Sequence, residues 1–290
     1  MIAVLLGLVA ACLFGAMTVA VRWGLERVPD AESATLITSA VGCVVATCVL
    51  GVSEQGFDAI TDSDLWPFFL AGFIAPGAAG LLFTLAVRLA GAARTAVLIS
   101  AAPLLAALPA FLLLDEPFHI ALAFGAVLIV GGGLLLGGER LDRTQFRRVG
   151  LLVALAAAAL IAVRDNVARY AAEHHDVAGV AAGAAALAGA TLLMAAYLVV
   201  VRRGRAPASV RRAFTAFVPA GVLVGLAYAA LLEALNRGRV TVVTPLYATE
   251  SLWTVLFASM VLGRGERIGP RIVFAAMLMV AGAALIGAFR

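Results

Sequence analysis

Apolar residues in this chain run in long, nearly unbroken stretches separated by short polar ones. The stretches fall at about 2–22, 34–52, 66–87, 93–114, 118–137, 150–172, 178–201, 213–235, 239–262 and 271–288. They are apolar on every side and do not alternate, so they predict helices rather than barrel strands. A helix that spans a bilayer takes ~20 such residues. The pattern therefore predicts an all-α integral membrane protein with ten transmembrane helices. The separators carry turn and charge signals: Val28-Pro29-Asp30, Ser53-Glu54-Gln55-Gly56, Asp115-Glu116-Pro117, Arg202-Arg203-Gly204-Arg205 and Gly269-Pro270-Arg271.

Composition agrees. Of the 290 residues 63% are hydrophobic and only 13% charged, against roughly 25% charged in a soluble domain. The mean hydropathy is +1.06. A soluble protein of this size must wet its outer shell and cannot hide that much apolar surface. A soluble enzyme, a nucleic-acid binder and a disordered chain are excluded, and the lipid bilayer is the expected solvent. The net charge of +4 comes with arginine as the basic residue throughout, too thinly spread for nucleic acid and suited to loops touching anionic headgroups. Cys12, Cys43 and Cys48 all sit in apolar runs and read as small apolar residues rather than a disulfide framework. The first stretch has no basic residue before Arg22, so it reads as an uncleaved helix rather than a secretory signal, despite the loose lipoprotein-like Val9-Ala10-Ala11-Cys12.

The two halves resemble each other. Leu13 to Trp23 lies over Leu160 to Tyr170, with Arg22 on Arg169 and Trp23 on Tyr170. Ala71-Gly72 lies over Ala220-Gly221, Arg88 over Arg237, and Asp115-Glu116-Pro117 over Gly265-Glu266-Arg267. This divides the chain into a first repeat at 1–137, a basic connecting loop at 138–149 and a second repeat at 150–290. Five is odd, so two five-helix copies point opposite ways in the membrane, the inverted-repeat plan of many secondary transporters.

On these residues the chain resembles the ten-helix carriers of the drug/metabolite transporter superfamily, built from two EamA-type halves. The resemblance rests on Leu13-Phe14-Gly15 and Val21-Arg22-Trp23-Gly24, on Pro103-Leu104 followed by Asp115-Glu116, and on Val242-Val243-Thr244-Pro245-Leu246 followed by Glu266. It covers essentially the whole chain. It implies carriage of a small organic solute, commonly export of amino acids, metabolites or drugs, without fixing the substrate. One departure stands out. Such carriers place a proline midway along the ninth helix, matching Pro103 of the fourth; at a spacing of 147 its partner here is Glu250.

Arginine placement predicts orientation. Of the 21 arginines, 16 fall near odd-numbered loops and 5 near even loops or the C-terminus, while the loop at 53–65 holds four acids and no arginine. The positive-inside rule then puts the odd loops in the cytoplasm and both termini outside, whereas the family resemblance implies both termini inside. On the charge count, a reporter fused to the C-terminus is expected to be active outside the cytoplasm; a cytoplasmic reporter overturns that orientation.

Charges at membrane depth mark functional sites by default. Glu250 is the sharpest, near the middle of the ninth segment with Ser251, Tyr247 and Trp253 close by. It reads as a proton-coupling group, as an anchor for an ammonium-bearing substrate, or as half of a structural ion pair. Arg164 and Asp165 lie in the sixth segment, where Asp165 and Arg169 share a face and can pair, with Arg169 snorkelling to the interface. Glu233 lies four residues before Arg237, which pairs the two. By segment ends, Arg164, Glu233 and Glu250 fall on one side and can converge on one cavity, although for Glu233 the pair with Arg237 is the favoured reading. The candidate substrate-binding or coupling set is thus Glu250, Arg164, Asp165, Tyr247, Trp253 and Glu233, with H+ the candidate coupling ion and no cofactor.

Prolines mark candidate breaks at Pro76, Pro103, Pro109, Pro219 and Pro245, the last nearest Glu250; Pro109 and Pro219 read as plain kinks. The small residues at 181–190 in the seventh segment suit close helix packing or a homodimer contact. Glu173-His174-His175-Asp176 lacks a spaced partner ligand and reads as a wet loop, not a metal site. Glu116 and Glu266 read as caps or arginine partners. The sequence carries no Walker motif, no His-Glu-x-x-His and no Gly-x-Ser-x-Gly. The expected function is therefore a gradient-driven exporter in a bacterial inner membrane rather than an enzyme, with a flippase for a lipid or lipid-linked sugar as the alternative.

Overall fold

The computed structural model describes residues 1–53, 56–99, 120–137, 148–201, 210–261 and 270–288, with 102, 103, 105, 106 and 109. Every regular element among them is helical: α1 (Ile2–Arg27), α2 (Ala31–Gly51), α3 (Trp66–Gly72), α4 (Ala79–Ala90), α5 (Ala92–Ile99), α6 (Ile120–Gly137), α7 (Arg148–His174), α8 (Gly179–Val201), α9 (Val210–Arg237), α10 (Val240–Tyr247), α11 (Glu250–Val261) and α12 (Pro270–Ala288), with two short 3₁₀ turns before α3. Among the described residues six spans are long and apolar enough to cross a membrane: Ile2–Arg27, Ala31–Gly51, Ser63–Ala90, Gly179–Val201, Arg211–Arg237 and Val240–Val261. The expected ten crossings exceed that number, although each of the ten apolar stretches contains a described helix. The stretch at 138–147, like Glu116 and Glu266, lies outside the described residues.

Local chemistry sets the ends. Val28 leaves α1 in an extended conformation (φ −136°, ψ 94°), as a residue before proline must. Asp30 then caps α2, its carboxylate accepting from the Ser33 backbone N–H at 3.3 Å and from the Ser33 hydroxyl at 2.8 Å. Gly91 closes α4 with φ 90°, a conformation that glycine adopts without steric penalty.

Two of the long segments are broken. Between α3 and α4, residues Phe73–Ala78 wind more loosely, with Ala75 extended (φ −148°, ψ 128°) ahead of Pro76. Between α10 and α11 a turn at Ala248-Thr249 follows Pro245, so Glu250 opens α11 rather than riding mid-helix. Pro219 lies inside the unbroken α9.

The packing repeats with the halves exchanged. In chain order α7 is the counterpart of α1, and α8 of α2. α1 packs on α9, and α7 packs on α4; α2 packs on α9, and α8 packs on α3; α2 packs on α8, and α6 on α12. Glycines let the backbones approach. A β-carbon on Gly189 would lie 2.1 Å from the Phe69 carbonyl oxygen, and one on Gly72 would lie 2.0 Å from that of Ala186. The small-residue stripe of α8 is therefore packed within its own chain. Because the obstacle is backbone, Gly189→Ala must push α3 and α8 apart, and overpacking of this kind costs ~1–3 kcal/mol. Its melting temperature in detergent is expected to fall by several degrees; an unchanged value would show that the two helices separate freely.

Candidate functional site

α1, α2, α4, α7, α9 and the α10–α11 break surround a cavity of about 700 Å³ of non-atom space, counting its open mouth. Its walls include Phe14, Met17 and Val21 from α1, Thr35, Thr38 and Ser39 from α2, and Phe83 and Thr84 from α4. Ala75 and Pro76, at the loosened turn, add a further wall. The charged end is built by Arg164 of α7, Tyr228 of α9, Tyr247 of α10 and Glu250 of α11. Both helix breaks thus border the cavity, as expected where interrupted helices flank a binding site.

The charges are almost wholly out of solvent: Arg164 is 2% exposed, Asp165 0% and Glu250 4%. Arg164 Nε lies 2.8 Å from Asp165 Oδ1. The Tyr247 hydroxyl donates to the other oxygen of Asp165, Oδ2, at 2.6 Å. The Arg164 guanidinium carbon sits 5.1 Å from the centre of the Tyr228 ring, within reach of a cation–π attraction. Phe14 closes an aromatic cluster, its ring 5.7 Å from Tyr228 and 6.2 Å from Tyr247. Asp165 lies behind the wall, paired to Arg164, while Glu250 lines the cavity with Arg164 as the cation acting on it. Arg164 thus shares the cavity with Glu250 and is paired to Asp165 behind it. Next to Asp165, Asn166 ties α7 down by donating to the carbonyls of Ala162 at 2.9 Å and Ala106 at 3.1 Å.

The comparisons agree with this architecture. The model of the EamA-like transporter family matches the chain twice, over residues 1–138 and 148–288. The chain belongs to the EamA-like transporter family. A crystal structure 23% identical in sequence superposes with a TM-score of 0.76, covering 99% of this chain and 96% of its own; at that identity it shows a shared fold. A search of curated proteins finds no match. A family of membrane transporters is thus established for the chain, with two repeats, a small-molecule cargo and the lipid bilayer as its surroundings.

In this EamA-like chain the sequence-derived candidates separate. Glu250, Arg164 and Tyr247 line the cavity together, with Asp165 one layer back. Glu233 does not join them: its carboxylate pairs with Arg237 one turn on, against Gly179 of α8. Glu233 thus keeps the favoured local pair with Arg237, and its alternative convergence with Arg164 and Glu250 does not occur. Side-chain direction on α9, which segment ends do not reveal, turns it away. Trp253 stacks on Phe257 at 5.9 Å, with its β-carbon against Gly15 of α1, so it packs α11 on α1. The expected Asp165–Arg169 pair is corrected. Arg169 pairs with Glu173 at 2.9 Å and donates to the carbonyls of Leu235 at 3.2 Å and Asn236 at 3.4 Å, capping the end of α9. His175 lies 3.4 Å from Asp64, and among the described residues no His, Cys, Asp or Glu cluster could hold a metal.

Sequence reasoning missed Phe14, Tyr228 and the hydroxyls of α2. The last had a signal: Thr35, Thr38 and Ser39 follow an i, i+3, i+4 spacing within an apolar run, one polar face on one helix. Tyr247→Phe tests the inner layer. It leaves Asp165 Oδ2 buried without its donor, which costs about 1–3 kcal/mol. A lower melting temperature and a weakened substrate affinity are expected; a variant with both unchanged would show that the hydroxyl is idle.

Proposed function

We propose that this protein is a secondary carrier that exports a small organic solute across a bacterial inner membrane, with Glu250 as the group that couples transport to protons. The observation that carries the reading is Glu250 itself: a nearly water-free carboxyl that lines the cavity at the junction of two half-helices. A carboxyl there can hold either a proton or a substrate but not both, the minimum requirement for exchange.

In this reading the chain crosses the membrane ten times as two inverted five-helix repeats, 1–137 and 150–290. The half-for-half exchange in the packing supports a two-fold relation between them, and rocking one repeat against the other gives alternating access. The cavity walls lie in the second half of α1, the first half of α2 and the second half of the Ser63–Ala90 span, toward the ends that carry Arg22, Arg27 and Arg88. With arginine-rich loops inside, that end faces the cytoplasm, where an exporter loads.

The test is to profile small molecules in the medium of a bacterial host expressing wild type or Glu250→Gln. A solute class that accumulates outside with wild type alone supports the reading. Equal accumulation with both would keep export and remove Glu250 from it. No difference from the empty vector for either would overturn export.

A further inference from the structure

We infer that the cavity selects an organic ammonium ion with an apolar body; this rests on the carrier reading above and names its substrate class. Three features converge on a cation that carries N–H groups.

The first is charge. Arg164 is paired with Asp165 at 2.8 Å, so Glu250, when ionised, gives the wall a net negative charge. A substrate carboxylate docked on Arg164 would meet Asp165 beside it and Glu250 on the same wall, and like charges repel strongly in a dry site. The buried guanidinium Nη1 makes no hydrogen bond, so it can take a neutral carbonyl or hydroxyl only if the wall opens, while a second carboxylate on the wall favours a cation.

The second is hydrogen-bond polarity. The hydroxyls of Thr35, Thr38 and Ser39 donate back into their own helix, to the carbonyls of Ala31 at 2.8 Å, Ala34 at 2.9 Å and Thr35 at 2.8 Å. Thr35 also shares a 3.2 Å hydrogen bond with the Thr84 hydroxyl, whereas the Thr38 and Ser39 hydrogens turn into the helix and leave their oxygens as acceptors toward the cavity. The Tyr247 hydrogen is likewise taken by Asp165. The α2 acceptors together with a carboxylate favour a substrate that brings hydrogen-bond donors to that side.

The third is the aromatic cluster of Phe14, Tyr228 and Tyr247 beside Glu250. Aromatic faces attract an alkylammonium, and the apolar remainder of the walls takes its body.

The experiment is calorimetric titration of the purified full chain in detergent with four probes of one ring body: 2-phenylethylammonium, its neutral N-acetyl derivative, the zwitterion phenylalanine and the anion 3-phenylpropionate. Saturable binding of the ammonium alone is expected. It should weaken about tenfold or more in Glu250→Gln and several-fold in Thr38→Val, both variants keeping the wild-type gel-filtration profile. Tighter binding of phenylalanine or the anion overturns the ammonium class and leaves the carrier reading standing. Binding of the N-acetyl compound equal to that of the amine does the same. No binding of any probe while the medium still shows Glu250-dependent export overturns the ammonium class alone; no binding together with no export overturns both.

Discussion

Replacing Arg164 by alanine is expected to destabilise the protein more than any other single change at the site. Arg164 and Asp165 are buried together, and Arg164 is the only cation that lines the described cavity. Bringing two charges out of water is expensive, and their attraction offsets that cost only while both are present. Removing one partner leaves the other as a bare buried charge, a penalty of about 3–5 kcal/mol. Asp165 would keep the hydrogen bond from Tyr247 but lose its cation. The measurement is the fraction of monodisperse protein surviving a heating series in detergent. The double variant Arg164→Leu with Asp165→Leu is expected to recover much of the loss, because it removes the unpaired charge with its partner. If Arg164→Ala melts like wild type, the pair is solvated in practice and the buried-charge account is wrong.

Glu250→Gln is expected to have the largest effect on transport with little effect on folding. Glutamine keeps the length and shape of the side chain. Arg164 retains Asp165, so no charge is orphaned. What disappears is the ability to carry a proton and to attract a cation. A hydrogen bond to a charged group is worth about 1.5–3 kcal/mol, or roughly 10- to 100-fold in affinity, and proton-coupled movement should be lost with it. The check is transport in vesicles beside a melting curve. Falling transport with an unchanged melting temperature supports the assignment. A parallel fall in both would make Glu250 a structural residue.

Much was legible before any coordinates. Long all-round apolar runs have one physical solution in a bilayer, because backbone groups left unpaired in lipid are too costly; the helices α1, α2, α8 and α9 fall where those runs fall. Pro29 and Asp30 announce the turn between α1 and α2 by mechanisms confined to a few residues. Membrane-depth charge likewise singled out Arg164, Asp165 and Glu250, since an ionisable side chain in an apolar run demands a partner or a purpose.

Partnership was less legible. Asp165 has Arg169 four residues on, a spacing that suits a pair, yet it takes Arg164 and Tyr247 instead. Tyr247 is 82 residues away in sequence, and no local rule reaches that far. Glu233 followed the local rule and stayed with Arg237. The amino-acid sequence alone determined that this chain lives in a membrane, that it is helical and doubled, and which charges are too expensive to be incidental. Those are properties of solvent transfer and local backbone chemistry. Only the tertiary structure decided which charges meet, that both helix breaks border one cavity, and that the α2 hydroxyls face the same space as Glu250. Those depend on how helices far apart in the chain rotate and cross, which close glycine contacts such as Gly72 on Ala186 and Gly189 on Phe69 set.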